Sequence, residues 1–386
     1  MGTGKNRSAR RSPDQSGRDG GAGFDETIEP VIARPLPPPI HGRGASANPA
    51  NRFEALASEP DPEERPDDEI PALTTKFYRD FSRTIIAHND SPDVGFESSV
   101  NPYRGCEHGC IYCYARPTHE YLGFSAGLDF ESRIMVKEDA PELLAAELSS
   151  KHWKPQVLEM SGVTDPYQPV ERRLKLTRGC LEVLAEFRNP VSIVTKNQLV
   201  TRDVDLLGEL ARFNAAAVFI SLTTLDAELR GVLEPRTSPP TARLATISAL
   251  AQVGIPAGVL VAPVIPGLTD HEIPAVLEAA AKAGARFASF IVLRLPRAVA
   301  PLFEQWLATH FPDRKEKVLN RLRALRDGKL YDNRFGKRMR GEGVFAEQIE
   351  TLFDMARRKA GIAARSPELS TAAFRQPARA QMRLFD

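Results

Sequence analysis

Val191-Ser192-Ile193-Val194-Thr195, followed one helical pattern later by Ala217-Val218-Phe219-Ile220-Ser221, is the stretch from which the fold can be read. Each run is short and rich in β-branched or aromatic residues, the composition of a buried strand. Between them, residues 203–213 carry apolar side chains at spacings of three and four and open with Asp203, as an amphipathic helix does. The unit recurs on both sides. Further strand runs are Val157-Leu158-Glu159-Met160-Ser161, residues 257–262 and residues 288–293. Further helical patterns cover residues 174–187, 240–253 and 272–283.

Alternation of strand and helix at this spacing implies parallel strands joined by right-handed crossovers. One more strand before Cys106 brings the count to about six βα units. The spacing therefore predicts an α/β fold, a partial (βα)6 TIM-like barrel of parallel strands rather than a full eight-unit barrel. Chemistry in such folds sits at the C-terminal ends of the strands.

Outside this rhythm the composition changes. Residues 1–71 hold 11 of the 31 prolines and 8 of the 26 glycines, and their few large apolar residues follow no period. Such a segment buries too little surface to offset its ordering entropy, so it is expected to be disordered. Residues 53–69, eight acids and one Arg, read as an acidic linker of net charge −7. The barrel is expected over residues 72–296. Residues 297–364 read as a helical and basic extension, with helices over 303–309, 314–326 and 346–359. Residues 365–386 read as a flexible polar tail.

The chain has 386 residues with 51 Lys+Arg against 50 Asp+Glu, a net charge of +1 that shows no global basic excess. Four cysteines are too few for a disulfide scaffold. No secretory h-region is found at the N-terminus. The most apolar stretch, residues 255–268, is short and broken by Pro256, Pro263 and Pro266, so no membrane span is expected. These features together predict a cytoplasmic protein.

Three of the four cysteines lie in Cys106-Glu107-His108-Gly109-Cys110-Ile111-Tyr112-Cys113, a C-x3-C-x2-C spacing just after the first expected strand. Thiolates suit zinc and iron–sulfur clusters. A structural zinc site wants four ligands, usually as two pairs. Completion by His108 or Cys180 is the zinc alternative, but no second C-x-x-C or His pair is present. Three thiolates on a [4Fe–4S] cube leave one iron without a protein ligand. Cys180 falls within a helical pattern and reads as a buried core thiol.

With Tyr112 in the aromatic place, this string resembles the cluster loop of the radical S-adenosylmethionine (SAM) superfamily. The resemblance implies Cys106, Cys110 and Cys113 as ligands of a [4Fe–4S] cluster, SAM as second cofactor, and a one-electron reductant such as flavodoxin or ferredoxin. It places Tyr112 near the SAM adenine. Thr164 or Asp165, in Ser161-Gly162-Val163-Thr164-Asp165, would accept from the SAM amino group; an Asx turn before Pro166 is the plainer reading. Lys196 would pair with the SAM carboxylate, and Ser221 would bond its ribose or carboxylate. Arg236 is a second carboxylate clamp or else a solvated surface Arg. Ile265 opens a segment similar to the superfamily's adenine segment, with Asp270 in place of Glu, and would cover the adenine unless it only packs the core. The implied chemistry is one-electron cleavage of SAM to a 5′-deoxyadenosyl radical that abstracts hydrogen from a substrate.

Several strings together resemble the spore photoproduct lyase branch: Tyr112-Cys113-Tyr114, Thr164-Asp165, Thr195-Lys196, Ser221, Glu234-Pro235 with Thr237, and Val261-Ala262-Pro263. Ser161 to Pro169 is closer to a family of uncharacterised bacterial radical SAM proteins. One departure matters. The lyase's hydrogen-donating cysteine falls where this chain has Gly162, which has no thiol to return a hydrogen atom. Tyr114 matches a tyrosine on the lyase's hydrogen route and is the catalytic candidate.

Residues 312–340 hold eleven Lys+Arg and four Asp+Glu, a net charge of +7. Lys329, Arg334, Lys337, Arg338 and Arg340, interleaved with Tyr331 and Phe335, form a candidate contact set for DNA or RNA, or else a solvated basic loop. The C-terminal Gln381-Met382-Arg383-Leu384-Phe385-Asp386 resembles the Q-x-x-L-F peptide that docks on bacterial sliding clamps, with Gln381, Leu384 and Phe385 as anchors. The sequence does not name the substrate, and DNA in a repair-type reaction is one candidate. The alternatives are modification of RNA, a protein or a small molecule, and a zinc or Fe–S module that binds nucleic acid without turnover.

Overall fold

Val191–Thr195 is a strand whose buried side chains alternate with half-buried ones, the period of a sheet covered on one face and lining an interior on the other. In the computed structural model, residues 38–54 and 73–377 are described. Most of the acidic linker and the clamp-like tail with Gln381, Leu384 and Phe385 lie outside them.

Six parallel strands carry the fold: β1 (Ser98–Val100), β2 (Leu158–Met160), β3 (Val191–Thr195), β4 (Ala216–Ser221), β5 (Ala257–Val264) and β6 (Phe287–Val292). They are hydrogen-bonded in sequence order, with Ile86–His88 antiparallel on the outer edge of β1. The expected α/β architecture of six βα units is thus observed, and its sheet runs open from the Ile86–His88 strand to β6 among the described residues. Helices Leu176–Phe187, Val204–Ala211, Pro240–Gln252 and Ile273–Lys282 make the successive crossovers from β2 to β6.

Their apolar faces meet one face of the sheet. Leu158, Met160, Ile193, Val218 and Val259 pack with Leu181, Leu184, Leu207, Leu210, Leu250 and Leu277 in one buried cluster. Each such side chain contributes about 1.5–3 kcal/mol on burial. The opposite face carries the row Ser99, Glu159 and Ser192, paired across β1, β2 and β3.

Boundaries moved where backbone chemistry intervened. The helix expected over residues 174–187 breaks at Lys175, whose φ of 56° lies in the left-handed region and separates Glu171–Leu174 from Leu176–Phe187. The helix expected from residue 303 begins at Val299. Pro301 sits in its first turn, where a missing N–H costs no helical bond. Helices Pro312–Ala324 and Val344–Lys359 follow as expected.

A second, three-stranded sheet was not anticipated. Lys76–Arg79 pairs in parallel with Arg133–Val136, which pairs antiparallel with Tyr103–Arg104. It braces the chain just before the cysteines. Residues 38–54 also differ from the disorder expected of the segment 1–71. Ala45 and Asn51 are buried, and this stretch lies against the cysteine loop. Its order does not come from its few apolar residues, because side chains elsewhere hold its backbone.

Candidate active site

The cysteine loop begins after β1 and is pinned from several sides. Gly109, between the first two cysteines, has φ +67°, and a Cβ there would meet Glu131 Oε2 at 2.7 Å. Gly44 approaches so closely that its Cβ would lie 1.8 Å from the Gly109 carbonyl oxygen. Arg116, fully buried, donates from Nε and Nη2 to the Cys110 carbonyl at 3.0 and 2.9 Å. The same guanidinium donates to the Ala126 and Gly127 carbonyls and pairs with buried Glu131. Glu131 in turn accepts from the Gly44 and Ala45 backbone N–H groups at 3.0 and 2.9 Å. One buried ion pair thus ties the N-terminal segment to the loop.

Cys106 and Cys110 are buried and Cys113 is half-buried, and all three are free thiols. Burial pushes all three thiols up, Cys106 further through Asp165. A buried thiolate is stable only beside positive charge. Iron supplies that charge, so three such thiols on one loop fit a [4Fe–4S] cluster. Neither candidate for a fourth zinc ligand joins them. His108 holds Asp165 through Nδ1 at 3.3 Å and Asn197 through Nε2 at 3.1 Å. Cys180 is buried in the helix–sheet core, as its helical pattern predicts. Among the described residues no three His, Cys, Asp or Glu side chains converge on a single ion.

The expected SAM-contacting residues fall at strand ends, and several converge. Lys196 follows β3 and donates to Ser221 Oγ at 2.7 Å and the Ala262 carbonyl at 3.1 Å, with Glu234 Oε1 at 3.3 Å. Its Nζ lies 5.6 Å from the Tyr112 ring centroid. Tyr112 donates its hydroxyl to Glu234, and Thr223 Oγ1 donates to Glu234 Oε1 at 2.7 Å. Burial, with Cys110 and Glu234 nearby, raises the Tyr112 phenol far above its usual range and keeps it a neutral donor. Burial opposes ionisation of Glu234, but Arg243 and Lys196 outweigh it and hold its carboxyl well below the usual range. Arg243, almost fully buried, completes this hub by pairing with Glu234 and donating to the Ser221 carbonyl at 2.9 Å. Ile265 is buried in the apolar cluster that also holds Cys110, Ile111 and Tyr112.

Other expected residues are placed differently. Asp165 accepts from Thr195 Oγ1 and the Lys196 N–H at 2.7 Å each, from the Tyr167 N–H at 2.9 Å, and faces His108. Four donors occupy its carboxylate, so it anchors the turn that aims Lys196. Thr164 donates to the Tyr103 carbonyl at 3.1 Å, which leaves its oxygen able to accept. Arg236 stands apart from the Lys196 network and pairs with Glu107 at 3.2 Å. Tyr114 is half-exposed, donates to the Gly162 carbonyl at 2.5 Å, and lies under the Arg294 guanidinium at 5.1 Å. Glu234, Arg243, Thr223, Arg116 and Glu131 are not among the site residues expected from the sequence, and His108 is expected there only as a zinc ligand. The only signal for Glu234 was its place in the Glu234-Pro235 string.

The basic segment folds back on the barrel. The Val292 N–H donates to the Met339 carbonyl at 2.9 Å. Arg334 pairs with Asp332 and Glu342, Lys337 with Glu342, and Arg338 with Asp93. Arg340 lies 3.6 Å over the Phe290 ring. Most of the charge expected to meet phosphate is therefore paired internally. Lys329 is exposed and in no ion pair among the described residues.

With this geometry in place, comparison with known proteins identifies the family. The radical SAM superfamily model matches residues 100–280, the span that holds the cysteine loop and β2 to β5. The chain belongs to the radical SAM superfamily. This radical SAM protein is 40% identical over 220 residues to an uncharacterized protein of Mycobacterium bovis, a match covering 56% of this chain and 65% of that one. It is 30% identical over 233 residues to an uncharacterized protein of Methanocaldococcus jannaschii, covering 60% of this chain and 83% of its relative. The chain thus spans under two thirds of the mycobacterial relative's length. Its fold is that of spore photoproduct lyase. One lyase variant superimposes with a TM-score of 0.54 at 19% identity, covering 75% of this chain and 81% of the other. Another, with bound AdoMet and dinucleoside spore photoproduct, gives 0.53 at 18% identity, covering 75% and 80%. Among the described residues no helix is long and apolar enough to cross a membrane.

Proposed function

We propose that this protein is a radical SAM enzyme that abstracts hydrogen from a nucleic-acid substrate, in a repair-type reaction distinct from that of the lyase. The observation that carries the reading is the convergence of Tyr112, Lys196, Ser221 and Glu234 beside the Cys106–Cys113 loop at the strand ends. When bound, a [4Fe–4S] cluster on Cys106, Cys110 and Cys113 supplies the electron, drawn from a flavodoxin or ferredoxin, that splits SAM to methionine and a 5′-deoxyadenosyl radical.

The chain's own residues bind and orient. Lys196 presents an ammonium to the SAM carboxylate, exchanging one of its internal acceptors for it. Ser221 bonds the ribose or carboxylate next to it. Thr164 offers an acceptor to the SAM amino group. Tyr112 and Ile265 form the apolar wall for the adenine and exclude water from the radical. Tyr114 stands at the substrate side, its hydroxyl held by Gly162. The nucleic-acid reading is supported by the fold shared with spore photoproduct lyase, solved with a dinucleoside lesion. Gly162 sets this chain apart from that lyase.

Anaerobic reconstitution with iron and sulfide, then dithionite and SAM, tests the reading. The expected result is 5′-deoxyadenosine, increased by damaged duplex DNA, and a cluster EPR signal that Cys106→Ala removes. No deoxyadenosine under these conditions defeats it.

A further inference from the structure

β6 ends at Val292; the next residue, Leu293, accepts from a buried guanidinium, Arg326, and the one after it, Arg294, sets a second guanidinium over Tyr114. Arg326, 1% exposed, donates from Nη2 to the Leu293 carbonyl at 2.6 Å. Its Nε and Nη1 are buried without a hydrogen-bond partner among the described residues, and so is Nε of Arg294. Arg294 donates from Nη1 to the Met339 sulfur at 3.3 Å and lies over the Tyr114 ring. Neither arginine is in an ion pair among the described residues. The acids near them, Asp332 and Asp93, are committed to Arg334 and Arg338.

A buried guanidinium without a counter-charge is costly, and a second one beside it adds repulsion. Burial and then Arg294 lower the Arg326 pKa to about 10, the direction that uncompensated charge imposes. Strain of this kind persists in a fold where a ligand relieves it. The unsatisfied groups are three nitrogens spread over two guanidiniums. A carboxylate is satisfied by one bidentate fork, whereas a phosphate offers oxygens to both.

We propose that Arg294 and Arg326 form a phosphate-binding pair at the barrel mouth, holding a phosphate of the substrate next to Tyr114. This deepens the reading of the mouth as the substrate's place, but it concerns binding alone and does not need SAM cleavage. The source is either a phosphodiester of nucleic acid or the phosphate of a small molecule.

Calorimetric titration of the full reconstituted chain, at constant ionic strength, tests it. The probes are inorganic phosphate, the thymidine dinucleotide TpT, its neutral methylphosphonate counterpart, and acetate. Saturable binding of phosphate and TpT supports the proposal, with Arg294→Gln weakening both by about tenfold or more. TpT binding more tightly than phosphate assigns the site to a phosphodiester, and the reverse order to a small phosphorylated molecule. Arg326→Gln is expected to abolish binding and yet leave the melting temperature unchanged or raised, because it removes an uncompensated charge. Methylphosphonate or acetate binding as well as TpT would overturn the proposal. So would unchanged affinity in Arg294→Gln, which is half-exposed and remains informative if Arg326→Gln fails to fold. Normal phosphate binding by a chain that yields no deoxyadenosine would defeat the enzymatic reading alone.

Discussion

Arg116 and Glu131 form an ion pair with both side chains fully buried, and between them they hold the Cys110 carbonyl and the backbone of Gly44 and Ala45. Removing one partner strands the other charge in the interior, a loss of about 3–5 kcal/mol. Arg116→Ala and Glu131→Gln are therefore expected to lower the denaturant midpoint and to reduce bound iron after reconstitution. Arg116→Lys will not rescue, because a single ammonium cannot reach the carbonyls of Cys110, Ala126 and Gly127 together. Iron content equal to the parent in all three variants would show that the pair does not shape the loop.

The same relationship gives residues 38–54 a role. A chain beginning at residue 55 loses the two backbone donors to Glu131 and the contact of Gly44 with Gly109. The cluster is then expected to bleach in air several times faster than in the full chain. Equal bleaching rates, followed by visible absorbance, would remove that role.

Cysteine replacements separate ligands from core. Cys106→Ala, Cys110→Ala and Cys113→Ala should each abolish the cluster's visible absorbance. Cys180→Ala should keep it and cost roughly 1 kcal/mol of stability, since it only deletes a small buried group. Loss of absorbance in Cys180→Ala would make Cys180 a fourth cluster ligand and leave no iron open.

At the Glu234 hub, Lys196→Met removes the ammonium that faces Ser221 and the Ala262 carbonyl. A lost charged hydrogen bond is worth about 1.5–3 kcal/mol, so SAM affinity should fall roughly ten- to a hundredfold. Arg236→Met, paired with Glu107 outside this network, should change affinity little. Equilibrium dialysis with labelled SAM ranks the two, and the reverse ranking would move the carboxylate clamp to Arg236.

Glu159 projects from β2 on the face opposite the helix-packed core, 5% exposed, with Oε1 unpartnered among the described residues. Burial raises its carboxyl to about 8, against a small opposing bond from Ser192. Its unfolded value is about 4.3. Between these values the folded state holds a proton that the unfolded state has lost. The Glu159 contribution is therefore full below about pH 4.3 and falls with rising pH by about 1.4 kcal/mol per unit until about pH 8. Glu159→Gln, which cannot ionise, should be increasingly more stable than the parent across that window. Parallel pH profiles for the two proteins would show that Glu159 ionises normally.

Much of this was legible because the signals are local. Val191–Thr195 appears residue for residue, since a β-branched run between polar turns fits little else. The C-x3-C-x2-C string is readable because ligand spacing along a loop is a property of neighbours in sequence. Arg116 with Glu131, and Arg243 with Glu234, were not legible. In sequence each is an ordinary charged residue, and such residues are usually solvated. Only the partner makes burial tolerable. The basic segment shows the converse: Arg334, Lys337 and Arg338 read as free charge, and acids at positions 332, 342 and 93 pair them.

The sequence by itself determined the parallel α/β class, the order of its strands and the cysteine loop, because periodicity and short spacing survive without knowledge of distant contacts. The tertiary structure alone decided which of the strand-end residues meet, which charges are buried in pairs, and which arginines have no pair among the described residues. Those properties depend on residues brought together from far apart in the chain, as Arg338 is with Asp93, 245 positions away. No local pattern records which partner a charge will find.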